Sequence, residues 1–183
     1  MMKKIFIIFS GLLLVYMIWP GPSKISDFKP LPSSAKSTLE GDTIQIPNVA
    51  AYFSDNFRNF VVPFYLKNYQ QNTYLPFPPL RLNHPPEYSW EVIKKHTETT
   101  YLEELVYPLR DSLYVNGYEI FRPDGTPIFY SVPKLEEAGK EWPTKHTLRL
   151  YTSNILARII VWAGIIISMK MIFRLGGRII SEA

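Results

Sequence analysis

The chain has no cysteine, and only nine glycines and three histidines in 183 residues. Without cysteine there can be no disulfide, thiolate metal site, cysteine nucleophile or thiol-linked lipid anchor. Few glycines leave little room for a Gly-rich phosphate loop, and none is present. His84, His96 and His146 show neither H-x-H nor H-x-x-x-H spacing, so no local zinc motif exists. There is no G-x-S-x-G elbow, and the serines cluster between residues 20 and 47. The expected cofactor and metal content is therefore none.

A concentrated positive surface is also missing. The formal net charge of +4 comes from the ends, where Lys3, Lys4, Arg158, Lys170, Arg174 and Arg178, in or beside the apolar segments, stand against Glu182 alone. Residues 21–153 hold 14 Lys/Arg against 15 Asp/Glu, so the middle of the chain is nearly neutral. Nucleic-acid binding needs a clustered basic patch and is not expected. Cations flanking apolar segments fit membrane topology and lipid headgroups.

What is present is an apolar segment at each end. Ile5–Trp19 is uncharged and spans about 22 Å as a helix, short of a hydrocarbon core of about 30 Å. It also has the size of a secretory h-region, but bulky residues and prolines stand where a signal peptidase needs small ones. Residues 1–20 are read as an uncleaved transmembrane signal anchor, with Lys3 and Lys4 at the inner interface and Trp19 at the outer one. Residues 154–175 are read as a second transmembrane helix, with an amphipathic helix lying in the interface as the competing reading. Lys170, Arg174 and Arg178 share a helical face at its end, and residues 176–183 form a basic cytoplasmic tail. Ala157, Gly164 and Ser168 offer a small-residue stripe, for which Ser10–Gly11 is the obvious partner. Flanking cations place both termini in the cytoplasm and the middle outside, at a plasma membrane.

Residues 21–47 read as a Pro/Ser-rich tether. Residues 48–153 read as an extracytoplasmic α+β domain: helices first, then a C-terminal antiparallel sheet. Asn48 is expected to cap a helix in which Phe53, Phe57, Phe60 and Phe64 form a buried stripe that Pro63 bends or interrupts. The Pro-rich TYLPFPPLRLNHPP reads as a polyproline-type connector, and Glu87–Thr97 as a short helix with Trp90 and Ile93 inward. The runs TYLEELVYPL, SLYVNGYEIF, TPIFYSV and KHTLRLY read as strands, with Asp124-Gly125 as a hairpin turn and Asn116-Gly117 as a second turn or a bulge.

For chemistry, Glu98, Glu103, Glu104, Asp111 and Glu119 are the carboxylates close in sequence, read mainly as a solvated sheet edge. Tyrosine and arginine favour recognition surfaces. Tyr101, Glu104, Tyr107, Arg110, Tyr114 and Tyr118 are thus the expected interaction surface. The expected function is a two-span envelope protein whose outer domain is a protein-interaction or accessory module. Its partners are membrane lipid and another membrane or envelope protein. The alternative is a membrane-tethered enzyme acting on cell-wall polymer or a lipid-linked substrate.

Overall fold

The structure, a computed structural model, describes residues 2–39, 42, 46–92, 99–129 and 134–182; the side chains of Met2, Trp90, Glu91 and residues 178–182 are not described. In chain order the elements are α1 (Met2–Ile18), β1 (Ser34–Lys36), β2 (Val49–Ser54), α2 (Arg58–Thr73), β3 (Leu80–His84) and α3 (Ser89–Val92). There follow β4 (Tyr101–Val106), β5 (Ser112–Glu119), β6 (Glu136–Glu137), β7 (Lys140–Glu141), β8 (Thr144–Tyr151) and α4 (Ile155–Glu182). They form two units: Met1–Pro20 with Ser153–Ala183, and Gly21–Thr152.

The first unit pairs α1 with α4. Within α4, Ile155–Gly177 is a 23-residue stretch long and apolar enough to cross a membrane, with a mean hydropathy of 2.0 over its most apolar 18 residues. Helix α1, with 17 residues, is shorter than a full span. Asn154 opens α4, its Oδ1 accepting the Leu156 N–H at 2.8 Å. The two helices run antiparallel, since Phe6 meets Phe173 edge-on at 6.3 Å while Met17 meets Arg158. Arg158 is buried and donates to Ser153 Oγ at 2.8 Å and to the Met17 carbonyl at 3.0 Å. A cation there satisfies a carbonyl in the last turn of α1, where the helix dipole is negative. Trp162 donates to the Ser10 carbonyl at 2.9 Å. The expected small-residue seam is corrected by this arrangement. A Cβ on Gly11 or Gly164 would meet nothing within 4 Å, so Trp162 and Arg158 make the contact instead. Lys3, Lys4, Trp19, Lys170 and Arg174 are exposed, and the Arg178 side chain lies outside the described residues. The tail at 176–183 continues α4 as far as Glu182.

The second unit is α+β. Six antiparallel strands are ordered β1-β2-β8-β5-β4-β3, and α2 packs on one face. Strand β8 is central, pairing with β2 from Val49↔Arg149 to Ser54↔Thr144 and with β5 from Ser112↔Tyr151 to Glu119↔Thr144. Val61, Val62, Tyr65 and Tyr69 of α2 bury against Tyr101, Leu105, Leu113, Val115, Leu148 and Leu150 of the sheet. Side chains alternate along each strand, so Glu103 and Leu105 share the α2 face while Leu102, Glu104 and Val106 take the other.

Several expectations are corrected here. Val49–Ser54 is a fully buried strand rather than helix, because it is paired on both sides by β1 and β8. Asn48 stands before it at φ +60 and caps no helix. The phenylalanine stripe is therefore split: Phe53 is buried in β2, Phe57 precedes α2, and Phe60 is 44% exposed. Pro63 lies inside α2 without ending it. Residues 21–47 are not simply a tether, since they supply β1 and the buried Phe28 and Leu31. The Pro-rich connector contains edge strand β3. Asn116-Gly117 lies in register inside β5 rather than in a turn. Asp124-Gly125 does turn, with Gly125 at φ +83, but it joins only the single bridge Phe121↔Pro127, and Thr126–Phe129 form no strand. Of the expected helix at Glu87–Thr97, the described part is a 3-10 turn (Pro86–Tyr88) followed by α3; residues 93–97, Ile93 among them, lie outside the described residues.

Candidate functional site

Glu103 is the centre of a charged network whose carboxylate is buried. Its side chain is 0% exposed on the α2 face of β4, where an unpaired carboxylate would be very unfavourable. Two arginines compensate it. Arg81 of edge strand β3 donates from Nε to Oε2 at 2.8 Å and from Nη2 to Oε1 at 2.6 Å, a bidentate pair. Arg58, the first residue of α2, donates from Nε to Oε1 at 2.9 Å, and its Nη2 also contacts Oε1. Arg58 Nη2 further donates to Asn83 Oδ1 at 2.7 Å. Burial alone would raise the Glu103 carboxyl; the hydrogen bonds and charges of Arg81 and Arg58 overcome it and hold the carboxyl below its ordinary value.

Glu119, at the end of β5, accepts the Arg58 backbone N–H at 2.5 Å. Phe57 cannot cap α2 with its side chain, so a distant carboxylate does so. Burial raises the Glu119 carboxyl, against a smaller opposing effect of Arg58. Phe57, Arg58, Pro63, Arg81, Glu119 and Pro123 line an open cleft of about 440 Å³ beside this network. Glu103 is saturated by guanidinium donors and is not poised to donate a proton. Glu119 is the titratable group of the cleft, and the two guanidiniums suit an anionic group.

Behind the network lies a neutral relay. The Arg58 guanidinium sits 5.1 Å over the Tyr101 ring. Tyr101 Oη is 3.0 Å from His146 Nδ1, and His146 Nε2 is 2.9 Å from the Asn56 carbonyl. A carbonyl only accepts, so Nε2 carries the proton and Nδ1 accepts from the tyrosine. His146 is 0% exposed, and burial lowers its pKa to about 4. A histidine held below its ordinary 6.5 contributes stability that is complete above that value and is lost as pH falls through about 4. Stability, read as the urea midpoint against pH, is expected to fall by about 3 kcal/mol across this window. His146→Gln should flatten the dependence there; an unchanged slope would show that another group titrates.

The six residues of the expected interaction surface do not share a face. Tyr101 (2% exposed), Tyr107 (1%) and Arg110 (6%) are buried, which removes them from any contact surface. The Arg110 guanidinium lies 5.6 Å over the Tyr107 ring. Glu104, Tyr114 and Tyr118 are half-buried on the face opposite α2. There Glu104 accepts from Ser112 Oγ at 2.6 Å and meets His84 Nε2 at 2.9 Å. Tyr114 packs edge-on against Tyr151 at 5.4 Å, and Tyr118 stacks on Phe129 at 5.8 Å. The reading of the carboxylates as a solvated edge is corrected for Glu103. Asp111 is buried with its backbone carbonyl accepting from Tyr69 Oη, and His96 and Glu98 lie outside the described residues. Among the described residues no group of three or more His, Asp and Glu is placed to hold a metal. Sequence reasoning missed Arg58 and Arg81; the arginine four residues past the end of β2 and the one on a Pro-flanked edge carry no local signature. Compared with protein families, curated proteins and solved structures, the chain matches none.

Proposed function

We propose that the protein is a two-span membrane protein, with both termini cytoplasmic, whose outer sheet domain binds a segment of another membrane or envelope protein. Helix α4 has the length for a span, and the cations at Lys3, Lys4, Lys170 and Arg174 support the orientation. The observation that carries the binding reading is the edge of β3. Among the described residues this strand pairs with β4 on one side only, and Leu80, Arg81, Leu82 and Asn83 are all exposed. Leu82 lies across from Glu104, which itself lies across from Tyr114, so the edge continues into the half-buried Glu104 and Tyr114 of the face opposite α2. An edge strand with exposed apolar side chains is a template for strand addition, with backbone bonds giving affinity and alternate side chains giving selectivity. Confinement to one membrane raises the effective concentration of such a partner.

A photo-crosslinking residue at Leu82 is expected to capture a membrane protein in intact cells, and the same residue at Lys67 on α2 is not. Tyr114→Ala should reduce the Leu82 adduct severalfold without changing the melting temperature. Equal capture from both positions, or none, would end this reading. The enzyme alternative is favoured by Glu119, the carboxyl raised by burial in the cleft. It requires turnover of a cell-wall or lipid-linked substrate that collapses in Glu119→Gln with folding intact.

A further inference from the structure

We propose that one end of the sheet domain, formed by Tyr74, Phe77, Leu80, Leu109 and Tyr151, rests in the headgroup layer of the bilayer. This rests on the reading that α1 and α4 cross the membrane.

The five side chains belong to one end of the sheet. Tyr151 ends β8 and lies across from Ser112, Ser112 lies across from Val106, and Val106 across from Leu80. The turn after β4 carries Leu109 and is tied to the loop after α2. Tyr107 Oη donates to the Phe77 carbonyl at 3.0 Å and accepts from Thr73 Oγ1 at 3.1 Å. The chain also begins and leaves the domain here. A Cβ built on Gly21, the first residue of the unit, would lie 2.9 Å from Arg110 Nη2 and 3.4 Å from Thr73 Cγ2. Only Trp19 and Pro20 separate Gly21 from α1, and only Thr152, Ser153 and Asn154 separate Tyr151 from α4. Three extended residues reach about 10 Å, so this end is leashed closely to both apolar helices.

The surface chemistry changes at the same place. Tyr74 is 80% exposed, Leu80 56%, Leu109 47%, and Phe77 and Tyr151 45% each. The charged residues of the turn, Arg110 and Asp111, are buried, which leaves its tip apolar. Tyr74 and Leu109 stand at φ +53 and φ +64, a left-handed conformation for which glycine or asparagine is the unstrained choice. At the opposite end, the turns place Gly125 and Gly139 at positive φ, beside exposed Asp124 and Lys140, and the exposed apolar side chains of the Gly125 loop, Ile128 and Phe129, reach 38% each. Aromatic and aliphatic side chains, displayed at strained positions at the end from which both short connections leave, match the headgroup–acyl boundary. A protein cover would not explain why both leashes leave from this end.

The chain's lack of cysteine allows single nitroxide labels on the full protein in vesicles of phosphatidylethanolamine and phosphatidylglycerol. Labels at Leu109→Cys, Tyr74→Cys and Tyr151→Cys are expected to relax severalfold more with oxygen, relative to a water-soluble nickel chelate, than a label at Asp124→Cys. Phe173→Cys serves as the reference for α4. If the three labels behave like Asp124 while Phe173 reads as immersed in lipid, the docking inference falls alone. If Phe173 also reads as water-exposed, the membrane reading falls and the inference with it. Labels shielded from both reagents would identify a second copy as the cover and overturn lipid contact.

Discussion

Gly117→Ala is expected to lower the melting temperature of the sheet domain by roughly 10 °C. A Cβ at this position would lie 2.0 Å from Tyr101 Cε1 and 2.3 Å from Cζ, far inside van der Waals contact. Tyr101 faces Gly117 in the β4–β5 register and is buried, bonded to His146 and covered by Arg58. It cannot withdraw without giving up those contacts. Overpacking of this kind costs about 1–3 kcal/mol or more, and the immobility of the ring puts the cost at the upper end. Thermal unfolding of the full chain in detergent, followed by circular dichroism, measures it. Tyr101→Leu in the same chain should recover part of the loss. An unchanged transition for Gly117→Ala would mean that the ring does not occupy this position.

The second large effect is expected from removing both guanidiniums. Arg58→Ala with Arg81→Ala leaves Glu103 buried and uncompensated, which costs about 3–5 kcal/mol. Either single change should cost much less, because the remaining arginine still meets the carboxylate. The dependence on pH distinguishes this from lost packing. In the native protein the Glu103 carboxyl is held low, so its contribution is present above the ordinary carboxylate range and is lost as pH falls. In the double variant only burial acts on it, which raises it, so protonation relieves the penalty and the deficit should shrink as pH falls. Adding Glu103→Leu should restore most of the stability at neutral pH. A deficit that stays constant with pH would assign the loss to packing.

The C-terminal strands were legible because they carry their own pattern. Tyr101–Val106, Ser112–Glu119 and Thr144–Tyr151 are rich in β-branched and aromatic residues, and each is a strand. Strand β2 was not legible, because what makes Val49–Ser54 a strand is β8, about a hundred residues later. Four phenylalanines at helical spacing happened to straddle a strand and a helix. Edge strand β3 was hidden by the prolines on either side of it. For the site, adjacency placed Glu103 and Glu104 on opposite faces, and the structure has them so. The same alternation separates Tyr101 from Tyr114 and Tyr118. Choosing which face is inside required α2, whose own start was displaced by the missing strand. The arginines of the network come from two further elements, and only the fold brings them to one carboxylate.

The central place of β8 sets an order on how the protein can be made. Ser54 bonds to Thr144, ninety residues later in the chain. At about 5–20 residues per second, a ribosome takes roughly 5–20 s to cover that distance. Until β8 is made, β1–β2 and β5–β4–β3 can pair only as separate ribbons, each with the edge that β8 will fill. Three residues after β8 is complete, the first apolar turn of α4 follows. Closure of the sheet and delivery of the last helix are thus nearly simultaneous events in synthesis. A nascent chain arrested before Thr144 would hold two unjoined ribbons, and the cell would have to keep both edges from pairing elsewhere.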